Sequence, residues 1–175
     1  MVVIINGRPG VGKDEFVRQC GMVMPCRIFN VSTIDFVKYI ARKCGWTGEK
    51  TLEHRKFLSD LKELLSEWND VPFKKTVETV QETILSMSEN GHRDNDYVIF
   101  VHCREPKNII KLKERFPDAM TLLVRRPLVE ETVTSNSSDE DVFQFRYDAV
   151  IVNDGSVDDL RHQADFFLKA IRNID

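Results

Sequence analysis

The sequence predicts an α/β fold in three layers: a five-stranded parallel sheet, helices on both faces, and one helical insert. Three observations predict it. Short apolar runs alternate with longer segments of helical period. The first run, VVIIN from Val2 to Asn6, is continuous rather than alternating, as in a strand buried on both faces. Strands separated by helices cross over to lie parallel, and the crossovers cover both faces of the sheet.

Taken in order, Cys26 to Asn30 is a second, weaker strand candidate, Tyr97 to Cys103 a third, Met120 to Val124 a fourth and Ala149 to Val152 a fifth. Asp14 to Val23 follows a glycine-rich turn directly and reads as the first helix. Ser32 and Thr33 are expected to cap the next, which carries Ile34, Val37, Ile40 and Ala41 and stops before Gly45. From Thr51 to Trp68, Leu52, Phe57, Leu58, Leu61, Leu64, Leu65 and Trp68 recur at helical spacing. Phe57, Trp68 and Phe73 are expected in the core. Pro72 stands at the start of the following helix and Gly91 at its stop. Pro106 opens a helix ending near Phe116, and Val157 to Ile171 is the last. Residues 33–90 form the insert, and residues 127–146, which include SNSSDED, form a lid-like loop of a length that is usually functional or disordered. A single domain over 1–175 holds all of this.

Composition narrows the function classes. A net charge of −3 offers no general attraction to nucleic acid or to anionic membranes, so any anion site has to be local. Cys20, Cys26, Cys44 and Cys103 form no CxxC pair and read as buried thiols of a reducing, cytoplasmic compartment. No apolar run approaches the ~18 residues of a membrane span. The start, MVVIIN, is a strand and lacks the features of a signal peptide.

The segment GRPGVGKD then follows a strand and precedes a helix. Gly7, Gly10, Gly12 and Lys13 satisfy the GxxxxGK spacing of the Walker A loop. Glycines let successive backbone N–H groups wrap a phosphate, and the positive end of the following helix adds to the attraction. Lys13 supplies a mobile charge to the terminal phosphates. The candidate triphosphate site is therefore Gly7, Arg8, Pro9, Gly10, Val11, Gly12 and Lys13, continuing into Asp14 and Glu15. Asp14 stands where most such loops carry Ser or Thr for Mg²⁺. Its carboxylate serves the ion directly or through water, making Asp14 a metal candidate beside the triphosphate.

This GKD ending resembles the phage deoxynucleoside monophosphate kinases and the animal-type phosphomevalonate kinases, both in the P-loop nucleoside-monophosphate-kinase group. Arg8 falls where those loops carry a basic residue. Other stretches agree in order: Ser32 to Ala41, Arg55-Lys56-Phe57-Leu58, His102-Cys103-Arg104-Glu105-Pro106 with Ile109, and Tyr147-Asp148 through Asn153-Asp154-Gly155. The resemblance implies a P-loop NTPase fold, ATP and Mg²⁺ as donor complex, a small phosphorylated acceptor, and a monomer or homodimer. It implies an acceptor site at Asp35, Arg55 and Arg104, with Asn153 and Gly155 approaching the adenine. Two features depart from the pattern. His102 replaces the acidic residue after the third strand, and Pro127 to Phe145 contains no Lys or Arg but does hold Glu130, Glu131, Asp139, Glu140 and Asp141.

Phosphoryl transfer needs cations around the migrating group. With no basic lid, the catalytic candidates are Lys13, Arg104, Arg125 and Arg126, of which the arginines follow predicted strands at the ligand-binding edge of an open α/β sheet. Glu105 is a second metal candidate, or an orienter of Arg104. Blander roles stay open: Arg125-Arg126 as a solvated pair, Asp35 as a helix-start carboxylate, Arg55 paired with Asp60 or Glu53, and Asn153-Asp154-Gly155 as a turn at positive φ. His54, His92 and His162 are expected at the surface, and a role for His102 in catalysis is open. The leading expectation is an ATP-dependent kinase of a (deoxy)nucleoside monophosphate. The alternative is a nucleotide-binding module with little turnover that signals to a partner. A GTPase lacks its NKxD motif here, and a motor its paired strand-end acids.

Overall fold

A computed structural model describes residues 1–23, 25–49, 51–130, 141–143 and 145–172. Five strands form one sheet: β1 (Val2–Asn6), β2 (Arg27–Ser32), β3 (Tyr97–His102), β4 (Met120–Arg125) and β5 (Ala149–Val152). Their order is β2-β3-β1-β4-β5 in a parallel sheet with helices on both sides, as the alternation of elements predicts. Ile4 pairs with Val101 on one side and Thr121 on the other, and Leu123 pairs with Val150. Every residue of β1 is buried. This is the burial expected of a continuous β-branched run at the centre of a parallel sheet.

The helices are α1 (Lys13–Val23), α2 (Asp35–Lys43), α3 (Leu52–Asn69), α4 (Val71–Glu89), α5 (Pro106–Arg115), the short α6 (Pro127–Glu130) and α7 (Val157–Arg172). The chain divides into two compact units, Met1–Asn30 with Met87–Asp175, and Val31–Ser86. In the first unit Val3, Ile5, Phe16, Phe100, Leu122, Leu160 and Phe167 share one core. Phe16 from α1 meets Phe100 of β3 at 6.3 Å and Phe167 of α7 at 5.6 Å between ring centroids, both edge to face. In the second unit Val37, Ala41, Phe73 and Val80 are buried.

Several expectations are corrected. Trp68 is 82% exposed and α3 buries no residue fully, although its apolar period is helical as predicted. Cys44 is exposed, while Cys20 and Cys103 are buried. Burial pushes the Cys20 thiol up to about 12. Ser32 and Thr33 do not cap α2. The first residue outside that helix is Ile34, and the Asp35 carboxylate reaches back to accept the Ser32 N–H at 2.7 Å. Thr51 does cap α3, accepting the His54 N–H at 3.3 Å. No helix among the described residues is long and apolar enough to cross a membrane.

Candidate functional site

The loop from Gly7 to Gly12 leaves the central strand and enters α1, whose first intrahelical bond runs from Phe16 N–H to Gly12 O at 2.9 Å. The N–H groups of Lys13, Asp14 and Glu15 therefore open a helix whose geometry offers them no acceptor within it. Gly7 has φ 145° and Gly12 φ 93°, both outside the range of ordinary side chains. A Cβ on Gly7 would lie 2.3 Å from Val124 O, and one on Gly12 would lie 2.4 Å from Asn153 Nδ2. Both glycines are required by close approach from β4 and from the segment after β5. The ammonium of Lys13 donates to Gly7 O at 2.6 Å and Arg8 O at 2.8 Å, so it lies across the loop it serves.

Asn6, at the carboxyl end of β1, is fully buried. Its Oδ1 accepts the Gly7 N–H at 2.7 Å, and its Nδ2 lies 3.0 Å from Arg104 O and 2.7 Å from the Tyr147 hydroxyl. The Tyr147 hydroxyl in turn donates to Val142 O at 2.9 Å. Burial drives the Tyr147 phenol up to about 12, against the opposing hydrogen bond from Asn6. Sequence reading missed Asn6. A polar residue ending an otherwise apolar strand, immediately before the glycine loop, was the available signal.

Asn153 donates from its amide to Val11 O at 2.9 Å and from its backbone to Arg125 O at 2.7 Å. It braces the phosphate loop from β5. Gly155 does not have positive φ, so the expected turn geometry is absent there. A Cβ at Gly155 would lie 2.6 Å from Asp159 Oδ2. That carboxylate accepts both the Ser156 N–H at 2.8 Å and the Ser156 hydroxyl at 2.7 Å, while Asp159 N–H returns to Ser156 Oγ, a reciprocal cap on α7. The space left by Gly155 serves this cap.

Arg8 and Arg125 both stack on Phe143, each guanidinium carbon 4.9 Å from the ring centroid. Two of the predicted cations thus meet on one aromatic ring, beside the Val142 carbonyl held by Tyr147. Arg104 follows β3 and is tied to Asn6 through its carbonyl. Arg126 follows β4 and is exposed, its carbonyl accepting Val129 N–H at 2.9 Å. Glu105 stands before Pro106 at the start of α5, its carboxylate 3.4 Å from Asn108 Nδ2. Asp14 is 92% exposed on the first turn of α1, with Oδ1 3.9 Å from His102 Nε2. Glu15, by contrast, is engaged along α1. Arg18 donates to it at 2.9 and 2.5 Å and Gln19 at 2.6 Å, and these bonds hold its carboxyl down at about 2. What Glu15 can offer an anion is its backbone N–H.

Of the expected acidic lid, Glu131, Asp139 and Glu140 lie outside the described residues. In the second unit Asp35 uses both carboxylate oxygens locally, one on Ser32 N–H and the other 3.8 Å from Lys38 Nζ. Arg55 is exposed on the first turn of α3, and Asp60, one of its expected partners, is held by Lys56 at 2.7 Å. His54 is half-buried rather than at the surface as expected, and His162 is exposed.

The N–H groups that open α1 and the Lys13 ammonium beside them are donors of the kind a phosphate accepts. Among the described residues no three His, Cys, Asp or Glu side chains are grouped to hold a metal. Mg²⁺ carried by phosphates needs only one or two protein carboxylates, and the solvent-facing Asp14 at the loop's exit is an oxygen donor of the right hardness.

The structure is similar to that of shikimate kinase from Aquifex aeolicus, with a TM-score of 0.53 at 11% identity over 97% of each chain. It is also similar to shikimate kinase from Acinetobacter baumannii in complex with shikimate, with a TM-score of 0.48 at 14% identity over 98% of this chain and 93% of that one. A sugar kinase from Janibacter sp. HTCC2649 gives 0.46 at 14% over 99% and 96%. The first likeness shows a P-loop kinase-like fold. No family model and no curated protein matches the sequence.

Proposed function

We propose that this chain is an ATP-dependent small-molecule kinase that transfers the γ-phosphoryl group to a phosphorylated acceptor, a nucleoside or deoxynucleoside monophosphate. The observation that carries the reading is the loop itself. Glycines at positive φ, a helix start, and Lys13 across the loop form a cradle for a triphosphate at the carboxyl edge of a parallel sheet. In this reading residues 7–15 hold ATP, with Arg8 and Lys13 on its phosphates. Asn153 and Gly155 lie on the nucleoside side. Asp14, with Glu105, takes the Mg²⁺ that arrives with ATP, and the ion offsets phosphate charge. Arg104, Arg125 and Arg126 stabilise the migrating phosphoryl group, and Asp35, Arg55 and Arg104 hold the acceptor. Positioning and charge are sufficient for such a transfer, with no covalent enzyme intermediate. The GKD loop and the YD-to-NDG ending favour the phage deoxynucleoside monophosphate kinases and animal-type phosphomevalonate kinases as the nearest group. The protein would act in a reducing cytoplasm, as a monomer or homodimer, with neither nucleic acid nor membrane as partner.

The test is acceptor-dependent ADP formation from ATP across nucleoside and deoxynucleoside monophosphates, with Lys13→Ala as control. We expect turnover with at least one acceptor, and loss of detectable ATP binding by calorimetry in a folded Lys13→Ala variant. Unchanged ATP affinity in that variant would overturn the phosphate-loop assignment. A second reading, a binding module with little turnover, is favoured by one observation: no Lys or Arg between Pro127 and Phe145. ATP binding without turnover on any acceptor would select it.

A further inference from the structure

Two arginines from separate loops end on the ring of Phe143, a residue with no role in the phosphate loop itself. Arg8 comes from the glycine loop after β1 and Arg125 from the end of β4, each guanidinium carbon 4.9 Å from the ring centroid. The two carbons are therefore no more than about 10 Å apart, a distance at which like charges still repel at 0.1 M salt. The negative face of an aromatic ring offsets part of that repulsion. Phe143 is 40% exposed, so apolar burial alone gives the ring little reason to sit there.

The backbone around this stack is tied to the glycine loop at several points. Val142 is buried, and its carbonyl accepts the Tyr147 hydroxyl at 2.9 Å. That hydroxyl accepts in turn from the Asn6 amide at 2.7 Å, and Asn6 Oδ1 accepts the Gly7 N–H at 2.7 Å. Arg8 O accepts from the Lys13 ammonium at 2.8 Å. Arg125 O accepts the Asn153 N–H at 2.7 Å, and the Asn153 amide donates to Val11 O. A guanidinium stacked on a ring spends its flat face and keeps the N–H groups in its plane for an anion. Stacking also orders a long side chain before a ligand arrives, which lowers the ordering cost of binding. The stretch from Pro127 to Phe145 holds no Lys or Arg of its own. What it brings to the loop is a ring that holds the cations of two other segments.

We propose that Phe143 is a positioning residue: it gathers Arg8 and Arg125 beside the glycine loop and orders them in advance for the phosphates of a polyphosphate ligand. The ring acts through the two arginines and does not itself bind phosphate. That the ligand is a triphosphate rests on the phosphate-loop reading above; the gathering of the cations does not.

The test is a calorimetric titration of the full-length protein with MgATP and, separately, with inorganic tripolyphosphate. Phe143→Leu keeps an apolar side chain and removes the ring, and Phe143→Tyr keeps the ring. The expected result is that Phe143→Leu weakens both ligands about tenfold while Phe143→Tyr stays within about twofold of the parent. Introduced into an Arg8→Ala or an Arg125→Ala protein, Phe143→Leu should cost only about threefold, because one of its two partners is already gone. Circular dichroism melts confirm that each variant is folded. Three results overturn the proposal: unchanged or tighter binding in Phe143→Leu, the same tenfold loss in both arginine-deleted backgrounds, or a loss for MgATP that tripolyphosphate does not share. The tighter binding would mark the ring as a competitor for the arginines, and a loss confined to MgATP would mark it as a contact to the nucleoside. Binding that needs Lys13 and ignores Phe143 sinks this proposal and leaves the phosphate loop standing. Binding that needs Phe143 and survives Lys13→Ala does the reverse. A parent protein that binds neither ligand overturns both.

Discussion

At Asn6 a single amide links the strand, the phosphate loop, the Arg104 segment and Tyr147. Tyr147 carries the link on to Val142, next to the ring on which Arg8 and Arg125 stack. Removing the phenol oxygen breaks two of these bonds, so Tyr147→Phe should cost about 1–2 kcal/mol in denaturant unfolding at pH 8. The pH dependence has a definite sign. The folded phenol is raised to about 12, against roughly 10 when unfolded. Folding therefore favours the protonated form, and this contribution is complete below about pH 10 and lost as pH rises through about 12. The stability gap between the parent and Tyr147→Phe should accordingly narrow between those values. A gap that stays constant to pH 12 would show that the phenol does not titrate as its burial implies.

Elements set which of these residues meet. The glycine loop is held in shape by β5, because Asn153 caps the Val11 carbonyl from the strand's end. Asn153→Ala should leave that buried carbonyl unpaired, cost about 1–3 kcal/mol, and weaken ATP binding, with both effects read from one thermal-shift series at increasing nucleotide. A variant as stable and as nucleotide-responsive as the parent would mean that the loop keeps its shape unaided. Much at this scale was legible. The strand–glycine loop–helix order, the proline starts and the glycine stop all follow from local backbone preferences, which act within a few residues. The bracing of the loop was less so. Asn153 could be read as a turn residue or a base contact, since nothing near it in sequence names Val11 as its partner. The same limit explains α3. Its period predicts a helix with an apolar stripe, but period says nothing about what the stripe packs against, and Trp68 stands exposed.

Across the whole sheet, parallel pairing brings every strand's carboxyl end to one edge, so the loops after β1, β3, β4 and β5 share it. That is why Arg8, Arg104, Arg125 and Asn153, far apart in sequence, lie at one edge of the sheet. If Arg104 stabilises the migrating phosphoryl group and the glycine loop holds ATP, as proposed, Arg104→Ala should lower kcat by about 10³-fold or more while changing ATP affinity little. Equal losses in kcat and in ATP affinity would make Arg104 a ground-state binder instead. The sequence by itself determined the fold class, the strand–glycine loop–helix order and the shortage of cations in 127–145, since each rests on local pattern, spacing or composition. Tertiary structure alone decided the rest: that Asn6 fastens Gly7 to Arg104, that Asn153 braces the Val11 carbonyl, and that Gly155 makes room for a helix cap. Those are contacts between segments distant in the chain or set by how helices pack, and local pattern carries no record of the partner.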